Sequence, residues 1–378
     1  MNETELKNRV DEMWRKTDAK LSRLAVKSRD KIPYTAKKGE HDNKFAVDHG
    51  WWTNGFWGGM MWLMYHGTGN EEYKKTAVRS EEMMDEALAD YKRLDHDAGF
   101  MWHLLSGAHY RTDGNAASCS RSLHAAASLA ARYNADGGFI RAWNADGCGG
   151  WSIIDCLMNL PLLYRASDET GNDAFRRIAV HHADMALRDH IRSDGSVNHI
   201  VEHDVNSGEV IAVHGGQGYG EGSCWSRGLA WAVYGMTISY MHTGYVRYLD
   251  AAKRCANYFV SHIAAYGYKT LVDFCAPSEP VYYDSSAGVC TACALIELSR
   301  ICGVIEADVY FDAACKIMLA TDENFCDYSA DTDGLVLMGT ERYPHTDNLS
   351  SVHMHLIYSD FFFVEALMKL RNNEFFIW

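Results

Sequence analysis

Proline is scarce, with five in 378 residues. So few helix breakers leave long helices intact. No proline- or serine-rich stretch and no shift in composition divides the chain, so one domain over residues 1–378 is expected. Positive charge is also in deficit: 36 Lys and Arg stand against 50 Asp and Glu, a net charge of −14. Nucleic acid and anionic membranes are held by clustered Lys and Arg, so neither is expected as a partner. A small anionic ligand held by one or two local cations is not excluded. Apolar runs fall far short of the roughly 18 residues that a membrane span needs. Met1 to Lys16 is charged and amphipathic, without the apolar core of a signal peptide.

Familiar chemical signatures are missing as well. There is no Gly-x-Ser-x-Gly nucleophile elbow and no Gly-Lys-Ser/Thr phosphate loop. No His-x-x-x-His or acidic cluster has metal-site spacing, so neither metal nor cofactor is expected. Isolated histidines such as His124 and His181 read as surface or core residues. The eleven cysteines are an odd number, and Cys156, Cys255, Cys293 and Cys315 sit in apolar helical context. That pattern fits reduced, buried thiols in a cytoplasmic protein. Cys290 and Cys293 form a lone C-x-x-C with no second pair, which reads as core packing.

Helical periodicity dominates what remains. A weak repeat runs through Thr68-Gly69-Asn70, Thr170-Gly171-Asn172 and Thr243-Gly244-Tyr245, with a degenerate copy at Cys302-Gly303. Each combines a glycine C-cap with the start of a new helix, the signature of a helix hairpin. Counting apolar periods gives about twelve helices. They fall near 3–27, 52–66, 70–92, 102–112, 114–133, 150–169, 172–192, 223–243, 247–264, 284–303, 306–321 and 355–372. Strand-like, Gly-rich segments lie at His96–Trp102, Asp136–Trp143, Asp194–Val201 and Asp333–Met338. The expected class is all-α: about six hairpins closed into an (α/α)6 barrel, with short strand-like loops at the active-site end. An open solenoid of helix pairs is the competing shape, but it normally keeps a stricter period.

Asp155 stands in the apolar run Trp151–Leu163, just past Gly147–Gly150. Burial disfavours an ionised carboxyl and raises its pKa, as a general acid requires. A first-turn Asp favoured by the helix dipole explains the same residue without chemistry. Asp97, in His96-Asp97-Ala98-Gly99-Phe100, is a second carboxyl; two in one cleft would push one pKa higher still. Trp51, Trp52, Trp57, Trp102, Trp143, Trp151, Trp225 and Trp231 gather near the same junctions. Tryptophan offers a face to a sugar ring and one N–H donor, though many tryptophans serve only as core anchors. Between Gln217 and Gly228, several glycines allow close backbone approach, and Arg227 could hold a carboxylate.

At these residues the sequence resembles unsaturated glucuronyl hydrolases, glycoside hydrolase family 88. The matching strings are Trp52-Thr53-Asn54-Gly55-Phe56-Trp57, His96 to Phe100, Ile153 to Leu163, Gly222 to Trp231, and Asp284-Ser285-Ser286-Ala287. They come in the family's order over roughly residues 45 to 370. The resemblance implies an (α/α)6 barrel and hydration of the C4=C5 vinyl ether of a 4,5-unsaturated uronic acid at the nonreducing end of lyase-made oligosaccharides. It implies Asp155 as the group that protonates C4 and assists water at C5, and Asp97 as the second essential carboxylate. It implies substrate binding by Trp52, Trp143, His199, Gln217, Trp225, Arg227 and Trp231, with Trp143 and Trp225 stacked on sugar and Arg227 with Gln217 on the uronate carboxylate. A monomer or homodimer is expected.

Three departures from the family pattern stand out. The family's Trp-Gly-Asp is here Tyr358-Ser359-Asp360. The residue before Gln217 is Gly216, where some members have His. Tyr343 to His355 has no Lys or Arg, which argues against a preference for sulfated chondroitin-type disaccharides. Rival functions are an unsaturated rhamnogalacturonyl hydrolase, a sugar epimerase using a His pair, and a catalytically silent sugar-binding barrel. The presence of both Asp97 and Asp155 weighs against the first and the last.

Overall fold

The computed structural model describes residues 2–378. Its inner helices are Asn54–Thr68, 99–113, 154–170, Ser226–Thr243, Ser285–Ile301 and Ile357–Leu370, each packed on the next and the last on the first. Outside them lie Glu71–Met83, Ala116–Ala130, 173–190, Val246–Ala264, Val304–Asn324 and Glu3–Lys27. The fold is an (α/α)6 barrel. The helix Ser226–Thr243 shows why inner and outer differ, because every residue from Ser226 to Ser239 is buried. A helix apolar on all sides belongs inside. Val246–Ala264 instead buries Tyr248, Ala251, Ala252, Cys255, Ala256, Phe259 and Ile263, one stripe at helical spacing.

The repeat does structural work at each inner-to-outer turn. Gly69, Gly171 and Gly244 are left-handed C-caps. The threonine ahead of each bonds back to a carbonyl four residues earlier and accepts the N–H two residues on. Asp113-Gly114-Asn115 turns the same way, a copy that the repeat pattern misses. At Cys302-Gly303 the cap is extended and Gly303 has φ −65°, so this copy is not a left-handed cap. The sixth hairpin is not consecutive in sequence: the first helix, capped by an Asn2–Glu5 capping box, covers the last one.

Three expected elements differ. Helix 70–92 breaks at Met84 into Glu71–Met83 and Asp85–Ala89. The start of the expected helix 150–169 is a strand, Trp151–Ile153, followed by a tight 3-10 turn Ile154–Asn159. That strand pairs antiparallel with Ile200–His203, which pairs with Val210–His214. Of the strand-like segments, His96–Trp102 instead enters the π-helical stretch Gly99–Gly107. Among the described residues no helix is long and apolar enough to cross a membrane. All eleven cysteines are free; Cys290 and Cys293 are buried in the core.

Candidate active site

The N-terminal ends of the inner helices and the three-stranded sheet frame a cleft of about 360 Å³. Asp97 and Asp155 both line it. Asp97 precedes helix 99–113, its N–H tied to Asp95 by a 2.9 Å bond. Asp155 hangs from the turn after strand Trp151–Ile153, which is fixed to the next strand by Ile153 opposite Ile200 and by the Ile154 N–H to His199 carbonyl bond. It is therefore a first-turn Asp as well as a cleft residue. Gly99 makes the convergence possible, since a Cβ there would sit 2.5 Å from the Cα of Asn159. Asn159, fully buried, joins the two carboxyl segments. Its Nδ2 donates to Asp97 Oδ1 and to the Asp155 carbonyl, both at 3.3 Å, and its Oδ1 accepts from Phe100 N–H at 2.7 Å.

One carboxyl in this pair is held in its protonated form. Burial first, then the charges of Asp95 and Asp155, push Asp97 up to about 8, against the pull of His96 and Asn159. His96 is its proton partner. Its Nδ1 lies 2.9 Å from the Ala142 carbonyl, which only accepts, so Nδ1 carries a proton. Nε2 then faces Asp97 Oδ1 at 3.3 Å. Burial works against a charged His96 ring, but Asp97, Asp95 and Asp155 outweigh it and raise its pKa. Ligand atoms of Asp95, His96 and Asp97 come within 4.8 Å of one another, the spacing of a metal cluster. With Nδ1–H bonded to a carbonyl, Nε2 is the free nitrogen of His96, and at 3.3 Å from Asp97 Oδ1 it can share a proton with that carboxyl or serve as a ligand atom beside it.

Asp155 has its own histidine. His199 Nδ1 stands 3.0 Å from the Gln217 N–H and 3.3 Å from the Gly215 carbonyl, and Nε2 lies 3.5 Å from Asp155 Oδ1. Its ring packs on Trp225 at 4.3 Å. Gly216 has φ +59°, and a Cβ there would lie 2.2 Å from His199 Nδ1. With His199 in this position, a side chain at 216 has no room.

Of the binding residues expected from sequence, Trp52, Trp143, Gln217, Trp225 and Arg227 line the cleft, and His199 stands against Asp155. Trp231 does not: it is fully buried against Phe100 and Phe362. Trp57 and Trp102 are likewise core, while Trp51 joins the cleft. Arg227 is 1% exposed, and its charge already has a partner. Nη1 donates to Asp284 at 2.5 Å, to Ser286 and to the Thr340 carbonyl; Nη2 donates to the Glu341 carbonyl. Gln217 Nε2 also donates to that carbonyl, at 2.7 Å.

Sequence reasoning passes over Asn159, His96 as a proton partner, and the cations Arg93 and Arg342 at the cleft. Asn159 had a visible signal: with Ser152 it is one of two other polar residues in the apolar run around Asp155. Arg342 stands one residue ahead of the stretch that lacks Lys and Arg. Within that stretch, His355 bonds Asp360 at 2.8 Å and His353 accepts the Tyr283 N–H at 2.9 Å. Asp360 also takes the N–H groups of Leu335 and Val336, a structural role for the departed Tyr358-Ser359-Asp360. His124 and His181 are exposed.

Residues 24–276 match the profile of Glycosyl Hydrolase Family 88. The chain is 34% identical over 360 residues to an unsaturated glucuronyl hydrolase of Bacillus sp. (strain GL1), covering 92% of this chain and 93% of that one. It is 29% identical to an unsaturated chondroitin disaccharide hydrolase of Streptococcus pneumoniae, covering 89% and 86%. The crystal structure of the Bacillus sp. GL1 enzyme, described as responsible for the degradation of glycosaminoglycan, superposes with a TM-score of 0.90 at 32% identity, over 96% of this chain and 97% of that one.

Proposed function

The chain belongs to glycosyl hydrolase family 88, and on that footing we propose that it removes a 4,5-unsaturated uronic acid from the nonreducing end of lyase-made oligosaccharides. The observation that carries this reading is the convergence of Asp97 and Asp155 on Asn159 inside a tryptophan-walled cleft. The relatives named for unsaturated uronyl substrates support the same reading.

The reaction adds water across the C4=C5 vinyl ether. A proton goes to C4 and the water oxygen to C5, giving a hemiketal. Opening of its ring C–O bond leaves a ketone at C5 and a hemiacetal at C1. Collapse of that hemiacetal to the aldehyde releases the neighbouring sugar, for one water consumed. Attack is not at C1, so carboxylate separation does not set a retaining or inverting outcome. In this reading Asp155 delivers the proton and accepts one from the attacking water, with the His199 ring 3.5 Å from its Oδ1. Asp97, sharing a proton with His96, orients ring hydroxyls and tunes Asp155. Trp143, half-buried at the cleft, offers a stacking face, whereas Trp225, 2% exposed with His199 and Arg227 on its ring, presents only an edge of the wall. Arg227 and Gln217, with Arg93 and Arg342, offer N–H donors to the uronate, although the charges of Arg227 and Arg93 are already paired with Asp284 and Asp48. The burial of thiols such as Cys156, Cys255 and Cys293 supports a cytoplasmic setting. We take residues 1–378 as one catalytic unit, acting as a monomer or homodimer.

The raised pKa of Asp97 favours a second assignment, in which Asp97 is the proton donor and Asp155 the base for water. Kinetics of the two variants separate these. If Asp155 does both jobs, Asp155→Asn loses at least about 10²-fold in kcat, the scale of general acid–base catalysis. Asp97→Asn then keeps measurable turnover with a displaced alkaline limb. An Asp97→Asn loss equal to or larger than that of Asp155→Asn would move the donor role to Asp97. Near-wild-type turnover in both variants would remove the pair from catalysis altogether.

A further inference from the structure

Tyr358 stands in the first turn of the last inner helix, at the head of the departed string Tyr358-Ser359-Asp360. The bonds of Asp360 to Leu335, Val336 and His355 account for that residue, but nothing above accounts for Tyr358. It is fully buried and does not line the cleft, so it does not meet substrate. It meets two residues that do line the cleft. Its ring centroid lies 5.0 Å from that of Trp52 and 5.2 Å from the guanidinium carbon of Arg227. Tyr34 extends the layer, 6.4 Å from Tyr358 and 5.4 Å, edge-on, from the cleft residue Trp51. The Ile357 N–H bonds the Tyr34 carbonyl at 2.9 Å and ties the two segments together.

Hydrogen bonds engage a guanidinium in its plane, and aromatic rings engage its faces. In the plane, Arg227 is held through Nη1 by Asp284, Ser286 and the Thr340 carbonyl, and through Nη2 by the Glu341 carbonyl. Among the described residues no bond takes the Nε hydrogen or the second Nη2 hydrogen. Those donors are the ones left for a ligand of the cleft. The rings against the same guanidinium are Tyr358 and, at 4.5 Å, Trp225. Removing the Tyr358 ring would open a gap beneath both Arg227 and Trp52, and side chains around such a gap relax into it.

Resting on the reading of the cleft as a uronate site, we propose that Tyr358 is a positioning residue for substrate binding: its ring holds the Arg227 guanidinium and the Trp52 ring where they meet the uronate. The carboxyls of the reaction are held from elsewhere, Asp97 by Asn159 and His96, and Asp155 beside His199. The uronate carboxylate keeps its charge through proton transfer at C4. Its contact with Arg227 is therefore uniform binding, whose loss raises KM and leaves kcat.

Steady-state kinetics on an unsaturated uronyl disaccharide tests this. Tyr358→Leu should raise KM roughly tenfold, within the range of a desolvated cation–π contact, and keep kcat within about twofold of wild type. Tyr358→Phe keeps the ring and should restore most of the affinity. A merely structural loss would shrink the active fraction, lowering apparent kcat at an unchanged KM. That result, a fall in kcat larger than the rise in KM, or a Tyr358→Phe as weak as Tyr358→Leu overturns the proposal. If Tyr358→Leu does not fold, Tyr358→Trp is compared with Tyr358→Phe. Tryptophan attracts a cation more strongly, so its KM should be the lower of the two, and an equal or reversed order overturns the proposal. No wild-type turnover on any unsaturated uronyl disaccharide overturns the reading of the cleft and the proposal with it. Wild-type turnover with a KM indifferent to Tyr358 overturns the proposal alone.

Discussion

Asp97 holds its proton to about pH 8 in the folded chain, whereas an unperturbed Asp releases it near 3.8. Between those values the folded state binds more protons than the unfolded one, so stability falls as pH rises. The penalty is absent below the unfolded pKa and complete above the folded one. His96 is raised chiefly by the Asp97 charge against its own burial, so its shift is the same shared proton seen from the other partner and adds no second contribution. Asp97→Asn removes the carboxyl's part. Its Tm should exceed that of the wild type at pH 8, with the gap closing toward pH 4; a gap independent of pH would contradict the assignment. Arg227 poses a different problem at the same scale. Arg227→Ala leaves Asp284 buried without its cation, an expected loss of about 3–5 kcal/mol in urea unfolding. A loss below about 1 kcal/mol would mean that the pair is better solvated than its burial implies. Weaker substrate binding in that variant has to be separated from this instability.

Among elements, the long helices were legible because apolar period and glycine caps agree. Val246–Ala264 was read as 247–264 and Glu3–Lys27 as 3–27. The failures share a cause, contacts made across the barrel. Trp151–Ile153 lies in an apolar run that serves a strand as well as a helix, and only pairing with Ile200–His203 decides it. Trp231 shares its signal with Trp225, yet it lies six residues along the same helix segment, past the first turn and inside the core. The role of Arg227 was half legible: its place at the cleft was, but its partner Asp284, 57 residues on, was not. The close approach of helices 99–113 and 154–170 is the element-scale feature on which the carboxyl pair depends. Gly99→Ala puts a methyl group against Asn159 backbone and should cost about 1–3 kcal/mol, the usual range for overpacking. It should also lower kcat, because Asp97 and Asn159 shift together. Wild-type stability with wild-type kcat would show that the helices can part without disturbing the site.

Over the whole molecule, a chain of net charge −14 is assigned an anionic substrate. Arg93, Arg227 and Arg342 line the cleft beside Asp48, Asp95, Asp97, Asp155 and Glu341, so an anionic substrate is met there by individual N–H donors and not by a net positive field, and the proton shared by His96 and Asp97 removes one negative charge from the floor. The barrel places these groups together by bringing the N-terminal ends of separate inner helices to one rim, its inner ring closed by Ile357–Leu370 on Asn54–Thr68 and its outer ring completed by the first helix. The central claim is hydration of a conjugated vinyl ether, which destroys the chromophore. The direct measurement is ultraviolet absorbance during incubation with a panel of unsaturated uronyl disaccharides, wild type beside Asp155→Asn. Absorbance should fall with the wild type on at least one member of the panel, with release of the partner sugar, and hold nearly constant with Asp155→Asn. Constant absorbance with the folded wild type across the panel, or an equal fall with Asp155→Asn, would contradict the account.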